Sequence, residues 1–137
     1  MFAFLNAHGS ELITKTWEQL YISAIALGLG VLVAVPLGIV LTRFPKTAKV
    51  VIGLASMLQT VPSLALLALM IPIFGIGKLP AIVALFIYSL LPILRNTYIG
   101  MEDVDPVLID AAKGMGMTAL QSIRQVEVPL AMPVIMA

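Results

Sequence analysis

The sequence contains no cysteine and a single histidine, His8. The first absence excludes a disulfide framework, a thiolate metal site and a cysteine nucleophile. The second excludes a histidine-rich metal centre, so no metal is expected. Charge is scarce as well: 11% of residues are Asp, Glu, Lys or Arg, against roughly 25% in an average soluble domain. A net charge of +1 offers nothing that would attract nucleic acid or an acidic partner. The first charged residue is Glu11. There is thus no basic lead of the kind that opens a cleavable signal peptide, and the first long apolar run is too long for such a peptide's core. Internal repeats and low-complexity linkers are missing too. What fills the chain is apolar: 61% hydrophobic residues and a mean hydropathy of +1.09, the composition of a membrane protein.

Uncharged runs mark the organisation. Leu20 to Thr42 carries no charge and as a helix would reach about 34 Å, enough for a ~30 Å hydrocarbon core. Val50 to Gly77 is a second such run, and Leu79 to Leu94 a third that extends to Met101 past Arg95. Each is apolar on all sides, as membrane helices are. The expectation is an all-α polytopic membrane bundle: a lead over 1–19, spans over 20–42, 50–74 and 79–101, a connecting segment over 102–128, and the start of a fourth span at 129–137. Ala137 falls inside an apolar run of about half a span, so the chain is expected to be part of a longer protein. Arg43, Lys46, Lys49, Arg95, Lys113 and Arg124 fall on one side of the membrane, six of the eight Lys and Arg residues. Lys15 and Lys78 fall on the other. The positive-inside bias then puts the N-terminus outside and the loops 43–49 and 102–128 in the cytoplasm.

The spans are interrupted. Pro36, Pro62, Pro72 and Pro92, with Gly28, Gly30, Gly38 and Gly53, lie inside them. Each proline frees a carbonyl that a neighbour must satisfy, and small residues suit close helix packing. Gln59, Thr60, Pro62 and Ser63 place polar groups in mid-span. Two readings stand: a polar lining of a translocation path, or hydrogen bonds between helices. The run Gly75 to Lys78, GIGK, looks like the end of a P-loop but lacks the upstream glycine and the following Ser or Thr, and it reads as a turn. Arg95 is a candidate partner for Glu102 or Asp103.

Charge and polarity concentrate after the third span. Asp105 and Pro106 read as a helix cap and first helical residue, opening a helix over Val107 to Lys113. Gly114 and Gly116 break it. Thr118 and Gln121 have the spacing of a capping box for a second short helix to about Gln125, and Pro129 suits the first turn of the next membrane helix. Ala111, Ala112, Gly114 and Gly116 leave a face almost without bulk, flanked by Met115, Met117, Leu120 and Ile123. Such a face can fit a partner's groove; it can equally lie on lipid headgroups.

The run Asp110 to Pro129, DAAKGMGMTALQSIRQVEVP, resembles the EAA motif of ABC importer permeases: Glu-Ala-Ala, three residues, Gly, nine residues, then Ile-x-Leu-Pro. Asp110, Ala111 and Ala112 stand at the triplet, Gly116 at the glycine, and Val126, Val128 and Pro129 at the close. Asp for Glu at 110, Val for Ile at 126 and Val for Leu at 128 depart from the pattern. From about residue 10 onward the chain is similar to the permeases that import the quaternary amines glycine betaine, carnitine and choline. That resemblance implies a MetI-like fold in a bacterial cytoplasmic membrane, and a transport subunit that is not itself an enzyme. The ATP and Mg²⁺ would sit on a separate cytoplasmic ATP-binding subunit coupled through the EAA loop, with no cofactor in this chain. An extracytoplasmic substrate-binding protein and a second permease copy or homologue complete the implied partners. Quaternary ammonium groups are held by aromatic rings, which makes Phe86, Tyr88 and Tyr98 candidates for substrate contact, though each also suits packing or an interface belt. The alternatives are a related importer for amino acids or other small polar solutes, an autonomous channel or secondary transporter, and a membrane-anchored interaction module.

Overall fold

A computed structural model describes residues 2–137 of the chain. Helix α1 runs over Phe2–Leu41, α2 over Pro45–Gln59, α3 over Ser63–Phe74 and α4 over Lys78–Glu102. Helices α5 (Pro106–Gly114) and α6 (Ala119–Ser122) follow, then a π-helical turn (Ile123–Glu127) and α7 (Val128–Ile135). Every element among the described residues is helical. Helices α1 and α4 are each long and apolar enough to cross a membrane, and α2 with α3 could form a third span bent by 91°.

Two boundaries differ from the sequence reading. Residues 2–19, expected as a lead before the first span, are helical and form the first half of α1. Nothing there stops a helix: no proline occurs, and the Thr14 and Thr16 hydroxyls bond back to the carbonyls of Ser10 and Leu12, which keeps both side chains inside helical geometry. Forty residues make α1 about 60 Å long, more than the ~40–45 Å of a whole bilayer. The run 50–74 is likewise not one straight span. It breaks at Thr60–Pro62, where Pro62 holds Val61 out of helical conformation.

Packing is inverted relative to a soluble protein. The buried positions of α1 facing α4 are Ala26, Gly30, Ala34 and Gly38, one every fourth residue, which puts them on one stripe. The large side chains of the same helix, Leu27, Leu32, Val33 and Leu37 among them, point outward. Lipid solvates leucine as well as a protein core does, so close backbone approach decides what lies between membrane helices. A Cβ at Gly38 would stand 2.8 Å from Cβ and Cγ2 of Thr97 on α4, and one at Gly30 would overlap Oγ of Ser89. Thr97 is fully buried and turns its hydroxyl back to the Ile93 carbonyl, 2.7 Å away. At the far end of α4, Gly100 takes α7 in the same way, beside the Ala131 carbonyl and Val134. Met101, Val104 and Ala131 then form a cluster against Ile39, Ile109, Ile123 and Val128, where α1, α4, the polar segment and α7 meet.

Gly75 and Gly77 both take positive φ and close the α3–α4 connection, the turn expected of GIGK. Lys78, just after it, pairs with Glu18 of α1 at 3.1 Å.

Candidate functional site

The segment after α4 folds from local signals. Oδ1 of Asp105 accepts the Val107 amide at 2.9 Å and caps α5, with Pro106 as its first residue. The helix ends in a Schellman motif: the Gly116 amide donates to the Lys113 carbonyl, and the Met117 amide reaches back to that of Ala112. This geometry needs a left-handed residue, and Gly116 supplies φ = +81°. Gly114, also expected to break the helix, is its last helical residue; the turn is made by Gly116 alone. Thr118 and Gln121 form the capping box in full. The Gln121 amide donates to Oγ1 of Thr118 at 3.3 Å, and the Thr118 amide to Oε1 of Gln121 at 2.9 Å. Ala112 is buried beneath the segment, whereas Asp110, Ala111 and Gly116 are exposed. Around them project Val107, Leu108, Met115 and Leu120, the last two more than 70% exposed.

Pro129 stands in the first turn of α7, as expected, but no loop separates α6 from that helix. The helix continues through the π turn, where the Val128 amide bonds to the Ile123 carbonyl five residues back. Proline at 129 cannot donate, and in an α-helix its ring would press on the Gln125 carbonyl; a wider turn moves that carbonyl aside. Glu127 closes the turn and is 4% exposed. Its Oε1 accepts from Nη2 of Arg43, in the turn after α1, and from Oγ of Ser122, both at 3.2 Å.

The break between α2 and α3 is tied to α4 by a reciprocal pair of bonds. Pro92 removes the helical partner of the Tyr88 carbonyl, and Nε2 of Gln59 donates to that carbonyl at 3.3 Å. In return the Tyr88 hydroxyl donates to the Val61 carbonyl, which lies between the two half-helices. Thr60 bonds only within its own turn, to the Met57 carbonyl, and Pro62 caps α3. Beside the break lies a cleft of about 470 Å³ lined by Ser63, Leu64, Leu67, Ala84, Tyr88 and Gln19.

Residues 12–137 match the family described as binding-protein-dependent transport system inner membrane component. The chain belongs to this family. It is 58% identical over 137 residues to the glycine betaine/carnitine/choline transport system permease protein of Bacillus subtilis (strain 168), covering 100% of this chain and 63% of that protein. To the carnitine transport permease protein of Listeria monocytogenes it is 58% identical over 134 residues, 98% of this chain and 62% of that one. The chain thus spans just under two thirds of the length of these relatives. Among solved structures, the MetNI methionine ABC transporter in an inward-facing conformation superposes with a TM-score of 0.80 at 26% identity, over 90% of this chain and 64% of the other.

In this chain the residues singled out from sequence fall into separate places. Asp110, Ala111, Ala112 and Gly116 gather on α5 and its cap, while Val126, Val128 and Pro129 lie on and after the π turn. Of the polar mid-span residues, Gln59 serves interhelical bonding and Ser63 faces the cleft. Phe86, Tyr88 and Tyr98 do not converge. Tyr88 lines the cleft, while Tyr98, about 15 Å further along α4, donates its hydroxyl to Glu102 at 2.8 Å. Arg95 is exposed and, among the described residues, forms no ion pair, so the expected pairing with Glu102 or Asp103 is not seen; Glu102 instead accepts from Tyr98. The ion pair at this end of the bundle is Arg43 with Glu127, missed because 84 residues separate them. One signal was available: Glu127 is a carboxylate immediately before an apolar run, and such a charge requires a partner.

Proposed function

We propose that the chain is the membrane-spanning part of an importer driven by a separate ATP-binding subunit, and that its cargo is a quaternary-amine osmoprotectant such as glycine betaine, carnitine or choline. The observation that carries this reading is the segment 105–122. It is two capped helices turned about Gly116, presenting Met115, Leu120, Val107 and Leu108 to the surroundings. Such a rigid, apolar, outward knob fits a partner's cleft. The similarity to the Bacillus and Listeria permeases supports the cargo class.

In this reading the ATP and Mg²⁺ sit on the partner, and the chain itself does no chemistry. Closure of the ATP-binding subunits pushes the knob, and α4 and α7, packed against each other at Gly100, carry the displacement into the membrane. An extracytoplasmic binding protein delivers the solute on the opposite side, and a second permease copy faces this one across the path.

The full-length permease, expressed with its ATP-binding and binding-protein subunits in cells lacking other osmolyte uptake, should accumulate labelled glycine betaine, carnitine or choline. Gly116→Asp should remove that uptake while leaving membrane insertion unchanged. No Cβ contact opposes a side chain at 116, so the effect comes from the positive φ and from the bulk offered to the partner. Native uptake by Gly116→Asp would overturn the docking assignment. Uptake of methionine instead of the amines would move the cargo to an amino acid.

A further inference from the structure

Arg43, Ser122 and Glu127 meet at one buried oxygen. We propose that Arg43 and Glu127 form a strut that makes the polar segment and the turn after α1 move as one piece, so that a push on the segment reaches α1 and is not absorbed in the π turn. This rests on the importer reading above.

The π turn is the compliant point of the continuous helix from Ala119 to Ile135, since its bonds span five residues in a widened ring. Force applied at Leu120 would flex it unless something bridges it. The Ser122 hydroxyl does so through its hydrogen bond to Oε1 of Glu127, and Arg43, on the same oxygen, ties that bridge to the turn after α1; among the described residues this is the one ion pair between the segment's end and the rest of the chain. The apolar cluster alongside, Ile39 with Ile109, Ile123 and Val128, holds by non-directional contact and tolerates sliding. A carboxylate fixed by two donors does not. The pair is also a poor device for stability alone. Burying a carboxylate costs about what pairing returns, and an apolar pair of similar volume would hold the fold equally well. What the ion pair adds is direction. Arg43 and Glu127 are therefore positioning residues, acting on the membrane helices through the turn and the segment they join.

The test uses the full-length permease assembled with its ATP-binding subunit in proteoliposomes. The variants are Glu127→Gln, the apolar double Arg43→Met with Glu127→Leu, and the exchange Arg43→Glu with Glu127→Arg. Because these 137 residues have no cysteine, Lys113→Cys gives a site for a spin label at an exposed position of the segment that is not among the residues presented to the partner. The apolar double should melt at or above the native temperature and keep the ATP-binding subunit bound. It should nevertheless move on the order of tenfold less solute per ATP hydrolysed, equivalent to about 1.4 kcal/mol of lost coupling, and the label at 113 should become more mobile. Glu127→Gln should fall in the same direction, and the exchange should recover most of the coupling, a rescue that a merely structural role does not give. Native transport per ATP with native label mobility in the apolar double would overturn the strut and leave the importer reading intact. If the native complex moves no solute, the importer reading falls, and the label, which needs no transport, still decides the strut: unchanged mobility in the apolar double overturns it.

Discussion

Gly38 and Gly116 are both glycines for physical reasons, and the reasons differ. At Gly38 the constraint is space: any Cβ meets Thr97, which is fully buried and has its hydroxyl tied to its own helix. At Gly116 space is free and the constraint is the sign of φ. The two sites should therefore fail differently. Gly38→Val should separate α1 from α4 and cost about 1 to 3 kcal/mol, the usual penalty of overpacking. It should be read as a lower melting temperature of the purified protein in detergent, with Leu32→Val, at an exposed position of α1, as a control that changes little. Gly116 was legible in the sequence, because a Schellman cap is written in neighbouring residues. Gly38 stood out only as one small residue among several. Its partner is 59 positions away, and no local rule names Thr97.

The short helices were read correctly at their starts and α4 to within one residue at each end, whereas α1 begins well before the expected first span and the run 50–74 is bent. Asp105 with Pro106, and Thr118 with Gln121, carry their own hydrogen-bond partners within three residues, so spacing alone was sufficient. The continuation of α1 through residues 2–19 and the π turn before Pro129 have local causes, whereas the bend at Thr60–Pro62 is completed by distant groups. Gln59 and Tyr88 exchange bonds so that the carbonyl left free by Pro92 and the one left free at Val61 are both satisfied. Mid-span polarity was thus legible, but not its split use, with Gln59 holding the helices together and Ser63 facing the cleft. Gln59→Leu and Tyr88→Phe should each destabilise the permease by about 0.6 to 2 kcal/mol, the range for hydrogen bonds between membrane helices. The double variant should cost less than the sum, because both bonds hold the same bend. Thermal unfolding of the four proteins of the cycle gives the coupling, and strict additivity would mean that the bonds act independently.

At the scale of the whole molecule, two ends are fastened by charge and the middle by small residues. Glu18 with Lys78 ties α1 to the α3–α4 turn at one end, and Arg43 with Glu127 ties it to the polar segment at the other. From the distribution of Lys and Arg we propose that the first end lies outside and the second in the cytoplasm. Cysteine introduced at Ile76, 95% exposed, should be labelled by an impermeant maleimide on intact cells, and cysteine at Met115, 71% exposed, only after permeabilisation; the opposite pattern would invert the assigned topology. Between the ends, the π turn has a geometric effect on everything that precedes it. It takes up one residue more than an α turn would, and each residue of an α-helix is about 100° of rotation. The short helix capped by Thr118 is therefore swung about 100° around the axis of α7 from where an uninterrupted α-helix would hold it. The nine residues between Gly116 and Val126 measure an angle as well as a length: they set the compass bearing at which Met115 and Leu120 leave the membrane surface.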